Sequence, residues 1–159
     1  MEILDIARSD FAFVLSLNEA CVPHVSLISS DELQWFSDNA AYLRVAKIEG
    51  RAAGFLIGFR PGTSYASPNY RWFCENYEDF AYIDRVAVAP WARRKSVAET
   101  LYDNFAAAQD GAPFMTCEVN LRPANDGSML FHKRMGFRQV SSQEIDDGEK
   151  EVALLEKKL

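Results

Sequence analysis

Residues 90–98, "PWARRKSVA", place three consecutive cations between an apolar run and a segment of helical character. Strand, tight turn and helix N-terminus form an arrangement that binds phosphate, because free backbone N–H groups converge there and the helix dipole adds partial positive charge. Arg93, Arg94 and Lys95 add formal charge at the same place, and a guanidinium can grip two phosphate oxygens at once. The turn contains no glycine. Glycine is needed only where φ is positive or the backbone must come very close to a ligand. A right-handed Ser96 opening the helix would cost nothing, and its hydroxyl would be a further donor. A left-handed one would cost about 1–2 kcal/mol, against about 1.5–3 kcal/mol for one charged hydrogen bond. Read alone, the turn is equally well a solvated basic corner.

The elements that must position this turn follow from patterning along the chain. "EILDI" alternates and reads as a first strand, and "SDFAFVLSLNEA" as a helix capped by Ser9 and stopped near Pro23. "SSDELQWFSDN" reads as a second helix with Ser29 and Glu32 at capping-box spacing. "YLRVAKI" and "RAAGFLIGF" are two strands around Glu49-Gly50, a hairpin signal, and Pro61-Gly62 ends the second. A long connection follows, "TSYASPNYRWFCENYEDF", too aromatic to be disordered. "AYIDRVAVA" is a fourth strand, "KSVAETLYDNFAAAQ" a helix, and "FMTCEVNL" a fifth strand. "NDGSMLFHKRMG" is a short helix with Gly136 as its C-cap. "FRQVSSQEI" and "EKEVALLEKKL" flank "DDG". Composition favours helix for the last segment and the turn favours a hairpin; it is read as a strand.

Length and composition bound the function. The 159 residues suit one domain spanning 1–159, and 48% apolar with 25% charged residues is an ordinary globular balance. A net charge of −6 argues against nucleic acid or an anionic membrane as partner, and makes a basic cluster stand out. No apolar run approaches the roughly 20 residues of a spanning helix, and the acidic N-terminus lacks the basic start of a secretion signal. Cys21, Cys74 and Cys117 form no CxxC pair, and His24 and His132 are too isolated to complete a metal set. Idle or buried thiols in a reducing cytoplasm are expected, with no metal.

Two segments carry a family resemblance. "VAVAPWARRKSVAETLY" resembles the acyl-CoA motif of the GNAT acetyltransferase superfamily, V-x-P-x-x-[RQ]-x-x-G-x-[GA]. Arg93 falls on the Arg/Gln position, Ser96 on the central glycine and Ala98 on the last Gly/Ala. "NDGSMLFHKRMGF" is similar to the family's N-x-x-[AS]-x-x-[LF]-Y-x-x-x-G-F, with Asn125, Ser128, Phe131, Gly136 and Phe137 in register and His132 on the tyrosine. The element order extends the resemblance over nearly the whole chain. It implies an α+β, three-layer fold: a mixed, mostly antiparallel sheet of about seven strands, the fourth and fifth splayed apart, with about four helices.

The resemblance also implies a cofactor and roles. Acetyl-CoA would enter the opening between those strands as co-substrate. Backbone groups of Val86, Ala87 and Val88 would pair with its pantetheine arm, and an N–H near Val86 would polarise the thioester carbonyl. Arg93, Arg94, Lys95, Ser96, Val97 and Ala98 would hold the diphosphate. Asn125 and Ser128 would hydrogen-bond the cofactor or cap the short helix. "VAV" also reads simply as a buried strand.

Acyl transfer to an amine moves two protons. An alkylammonium is neutral only about 0.04% of the time at pH 7, so a base is required. Alternation puts Asp84 on the same strand face as Val86 and Val88, and it is the candidate base or the anchor for the acceptor's cation; a structural ion pair with an arginine is the other reading. His132 is the candidate acid for the departing thiolate: an imidazolium near 6.5 donates downhill to a thiol near 8.5, although only about a quarter is protonated at pH 7. On the acceptor side Tyr70, Trp72 and Tyr77 stand out among Tyr65, Phe73, Phe80, Glu75, Glu78 and Asp79. Aromatic walls with carboxylates suit a cationic amine, but equally a loop folded on its own core or a homodimer interface.

These expectations amount to an N-acetyltransferase acting on a primary amine, either a small molecule, an amino acid or a peptide N-terminus. Direct attack in a ternary complex is preferred, because neither Cys117 nor Cys74 has a histidine that the sequence places beside it. The competing class is a catalytically silent acyl-CoA-binding module.

Overall fold

β1 (Glu2–Asp5) pairs antiparallel with β2 (Tyr42–Ile48), and β2 with β3 (Arg51–Phe59). The β2–β3 turn is made by Glu49 at φ 51° and Gly50 at φ 77°, the double left-handed geometry that matches two right-twisted strands. The computed structural model describes residues 1–159, in two compact units. One comprises Met1–Phe59 with Arg85–Asp110, the other Arg60–Asp84 with Gly111–Leu159.

In the first unit α1 (Phe11–Ala20), α2 (Ser30–Asn39) and α4 (Val97–Ala108) accompany these strands. The second contains α3 (Pro68–Asn76) and α5 (Asp126–Arg134), with β5 (Phe114–Arg122), β6 (Arg138–Ile145) and β7 (Lys150–Lys158). β4 (Ala81–Val88) gives its first half to the second unit and its second half to the first. The strand order is β1-β2-β3-β4-β5-β7-β6. All the register pairings described are antiparallel except β4 with β5, which are parallel through Ala81–Ile83 against Met115–Cys117. This is the mixed, mostly antiparallel seven-stranded α+β sheet that the family resemblance implied. The helix count differs: there are five, because the long connection contains α3.

Local chemistry explains most boundaries. Ser29 caps α2 by accepting from Glu32 N–H while the Glu32 carboxylate accepts from Ser29 N–H, a complete capping box. Gly136 sits at φ 89° after α5, with Phe137 N–H bonded to His132 O and Gly136 N–H to Lys133 O, a Schellman stop. α1 departs from the expected Ser9 cap. Its N-cap is Asp10, whose carboxylate is drawn off to Ala7 N–H at 3.0 Å and Lys47 at 2.8 Å. The terminal segment is strand, since β7 lies between β5 and β6 and its Val152–Leu155 are buried.

Each unit has its own core. Val14, Leu33, Val45, Phe55, Ile57, Leu101 and Phe105 fill the first. α4 presents Val97, Leu101, Tyr102 and Phe105 on one stripe, each worth about 1.5–3 kcal/mol when buried. Tyr70, Phe73, Phe80 and Tyr82 form a ring cluster in the second, with centroids 5.5 to 6.1 Å apart where they meet. No helix is long and apolar enough to cross a membrane.

Candidate active site

The basic turn lies in the first unit. A 3-10 turn, Pro90–Ala92, follows β4, and α4 begins at Val97 with Ser96 as its N-cap. Ser96 adopts φ 55°, ψ 24°, and Arg94 φ 61°. The chain therefore keeps the left-handed backbone for which glycine is the usual residue, and serine accepts it. Ser96 forms no side-chain cap, so it leaves the first-turn N–H groups of α4 available to an anion. Arg93, Arg94 and Lys95 are exposed, and none takes part in an ion pair. Uncompensated cations ahead of open N–H groups fit a diphosphate.

The strand leading into this turn alternates as expected. Asp84, Val86 and Val88 are half-buried while Arg85 and Ala87 are buried. Close packing fixes the strand: Ala89 N–H bonds Ala53 O at 2.8 Å, and a Cβ on Gly54 would meet Ala87 O at 2.7 Å. Buried Arg85 donates to Asn18 Oδ1 and Ser26 O, each at 3.0 Å, and to Ser26 Oγ at 3.1 Å. It thereby ties the α1–α2 connection to β4.

In the second unit Asp84 and Glu118 each accept a hydrogen bond from a phenol. Tyr65 donates to Asp84 Oδ1 at 2.7 Å, and Tyr82 donates to Glu118 Oε2 at 2.8 Å. Burial, and then the negative charges of Glu118 and Asp84, hold the Tyr82 phenol well above its ordinary value. Tyr82 therefore stays protonated as a donor. Neither Glu118 nor Tyr65 stands out in the linear sequence as a site residue, Tyr65 being one aromatic among several in the long connection. Glu118 had only a faint signal, being the one carboxylate in the otherwise uncharged run "FMTCEVNL".

Asn125, Ser128 and His132 meet on α5. Asn125 Oδ1 accepts from Ser128 N–H at 3.3 Å as the N-cap. His132 is 3% exposed, its Nδ1 lying 2.8 Å from Ser128 O and 3.3 Å from Ser128 Oγ. A carbonyl only accepts, so Nδ1 carries the proton and the neutral ring has its lone pair on Nε2. Phe131 and Phe137 meet the ring edge-on at 5.3 and 5.2 Å. Burial lowers the His132 pKa from its ordinary 6.5, partly opposed by the Ser128 carbonyl. Imidazolium is thus scarcer at neutral pH than in a free histidine.

Rings of the long connection pack within the second unit. Tyr70 is buried, its hydroxyl donating to Arg60 O at 2.8 Å and accepting from Thr63 N–H at 3.1 Å. The Tyr77 hydroxyl bonds Glu156, which Arg138 also holds at 2.8 Å. Trp72 packs on Phe73 and Tyr77. Tyr65, from the same connection, reaches Asp84 at 2.7 Å. Cys117 is buried, and burial pushes its thiol well above the ordinary range, making it a poor nucleophile. No cluster of three or more His, Cys, Asp or Glu could hold a metal ion.

Comparison with known proteins places this arrangement. Residues 3–137 match the acetyltransferase (GNAT) family model. No curated protein matched the chain. Among solved structures, Ard1 from Thermoplasma volcanium is 17% identical, with 99% of this chain and 97% of that one covered at a TM-score of 0.78. Naa20 from Chaetomium thermophilum, in complex with a bisubstrate analogue, is 21% identical, covering 100% and 87% at 0.75. The ribosomal-protein-S18-alanine N-acetyltransferase from Escherichia coli is 13% identical, covering 99% and 92% at 0.72. At these identities the structural likeness speaks for the fold, and the family match over most of the length speaks for descent: the chain belongs to the GNAT family of acetyltransferases.

Proposed function

We propose that the protein transfers an acetyl group from acetyl-CoA to a primary amine by direct attack in a ternary complex. The observation that carries this reading is strand β4. It leads from a phenol-bonded carboxylate at Asp84, through Val86 and Val88 on the same face, into unpaired cations at Arg93–Lys95. On this reading one short piece of backbone would carry both acid–base chemistry and anion binding.

In this reading Arg93 and Arg94 hold the diphosphate, with Ser96 and the N–H groups of Val97 and Ala98 around it, and Lys95 adds positive charge for the same cofactor. Val86, Ala87 and Val88 offer backbone groups to the pantetheine arm. Asn125 and Ser128 would hydrogen-bond the cofactor from the start of α5. Asp84 takes the ammonium proton of the acceptor, Tyr65 orienting one of its oxygens, with Glu118 as a neighbouring carboxylate. The neutral amine nitrogen then bonds the acyl carbon as the C–S bond breaks, and sheds a second proton to solvent on becoming the amide. His132 returns a proton to the thiolate, which requires it first to gain one at Nε2. Burial opposes that gain, so this role is open to a decisive test.

The acceptor is an alkyl ammonium that two carboxylates with aromatic neighbours would attract. Peptide N-termini are the first acceptors to examine, since structural neighbours include an S18-alanine N-acetyltransferase and a Naa20 bound to a bisubstrate analogue. Trp72, Tyr70 and Tyr77 would support that acceptor side through packing. The test is release of free CoA from acetyl-CoA with a panel of N-terminal peptides and small amines. Turnover that Asp84→Asn abolishes supports the reading. Binding of acetyl-CoA without turnover on any amine overturns it in favour of a silent carrier-binding module.

A further inference from the structure

Trp91 is flanked by two cations that come from different parts of the chain. The Arg51 guanidinium lies 4.2 Å from the centroid of its ring, and Lys95 Nζ lies 5.2 Å from it. Arg51 opens β3 immediately after the β2–β3 turn, and Trp91 follows Pro90 in the turn that precedes α4. Arg51 and Lys95 are exposed, and neither takes part in an ion pair. In a chain of net charge −6, carboxylates are in excess, yet none closes on this pair.

Two like charges gathered at one ring repel each other. The electron-rich ring offsets part of that repulsion by attracting each cation in turn. It also holds two long, otherwise mobile side chains near one position, which lowers the entropy cost of binding something between them. What relieves the remaining repulsion best is a dianion. A phosphate monoester carries close to two charges at neutral pH, whereas each phosphate of a diphosphate diester carries one.

We propose that Arg51, Trp91 and Lys95 form a seat for the 3′-phosphate of the acyl carrier's nucleotide, separate from the diphosphate site at Arg93, Arg94 and the start of α4. The proposal rests on the acyl-CoA reading given above and adds a selectivity to it. The seat discriminates a carrier with the monoester from one without it. The division of labour follows charge type: the turn's N–H groups and guanidinium groups meet the singly charged phosphates, and the ring-held pair meets the doubly charged one.

The experiment is isothermal titration calorimetry of the intact protein with CoA and with 3′-dephospho-CoA. Two charge-assisted contacts are expected to make wild type bind CoA at least about tenfold more tightly than the dephospho form. Arg51→Gln and Lys95→Gln should each shrink that ratio, and the double variant should bring it to about twofold or less. Trp91→Leu, checked for folding by thermal melting, should shrink it as well by releasing both side chains. Equal affinity of wild type for the two ligands overturns the proposal, as does a ratio that survives in the double variant. Absence of affinity for both ligands overturns the acyl-carrier reading itself, and this inference with it.

Discussion

Tyr65 and Asp84, nineteen residues apart in sequence, are joined by a hydrogen bond of 2.7 Å from phenol to carboxylate. The bond fixes one oxygen of Asp84. Tyr82 treats Glu118 in the same way at 2.8 Å. Asp84 and Glu118 are thus both oriented by phenols, as Glu156 is by Tyr77 in the same unit.

This pairing yields the first prediction. Asp84→Asn keeps the shape and removes the basic oxygen, and should lower kcat/KM about 100-fold or more, the usual worth of a positioned base. Tyr65→Phe keeps the base but frees its rotamer, and should cost about tenfold, mainly in kcat. Steady-state kinetics on the best acceptor would check both. Should Asp84→Asn turn over at the wild-type rate while Glu118→Gln does not, the base is Glu118 instead.

Ser96 yields the second. Its left-handed backbone costs an L-residue about 1–2 kcal/mol, while glycine adds unfolded-state entropy of roughly 0.5–1 kcal/mol. Ser96→Gly should therefore be at least as stable as wild type, by up to about 1 kcal/mol. Ser96→Val should be clearly less stable, because a β-branched side chain tolerates positive φ worst. Urea denaturation midpoints separate the three. A Ser96→Gly variant that loses stability would mean the serine hydroxyl holds the turn together.

How far the sequence could lead depended on the range of each interaction. The Ser29–Glu32 capping box, the Glu49-Gly50 turn and the Gly136 stop were legible because each is completed within a few residues. α3 was hidden although Ser67 and Pro68 are sound start signals, because its aromatic residues gave no clean polar face. Asp10 displaced Ser9 at the start of α1 through an ion pair with Lys47, a partner from a distant strand. The candidate residues divide in the same way. The cation turn and α5 are contiguous motifs and could be read directly. Tyr65 with Asp84, Tyr82 with Glu118 and Arg51 with Trp91 exist only once the chain has folded.

Gly54 supplies the third prediction. A Cβ there would lie 2.7 Å from Ala87 O, 3.1 Å from Val97 Cγ1 and 3.4 Å from Val88 Cα. The first of these is a backbone atom that cannot rotate aside, so β4 itself must shift. Gly54→Ala should cost about 1–3 kcal/mol of stability, as overpacking does. It should also weaken carrier binding, because Val86–Val88 would move. Denaturant midpoints and calorimetry on the same preparation test the two together. A stable variant with wild-type affinity would show that β4 has room this packing denies.

His132 supplies the fourth, and the sign of its pH dependence follows from burial. Its folded-state pKa is lowered from 6.5, chiefly by desolvation. Between the two values the unfolded chain binds a proton that the folded chain refuses. Stability is then lost as the pH falls below about 6.5, with a slope of at most about 1.4 kcal/mol per pH unit. The loss stops once the pH drops below the folded-state value. His132→Phe removes this proton while keeping an aromatic ring among Phe131 and Phe137. The stability difference, wild type minus variant, should therefore shrink on going from pH 7.5 to pH 5.5 and be flat above pH 7.5. Urea titrations at a series of pH values measure it. A difference that instead grows on acidification would mean the imidazolium is favoured in the fold, which would supply the acid that the thiolate needs. If His132→Phe also leaves kcat unchanged across that range, the proton for the thiolate comes from another group, and His132 serves only to fasten α5.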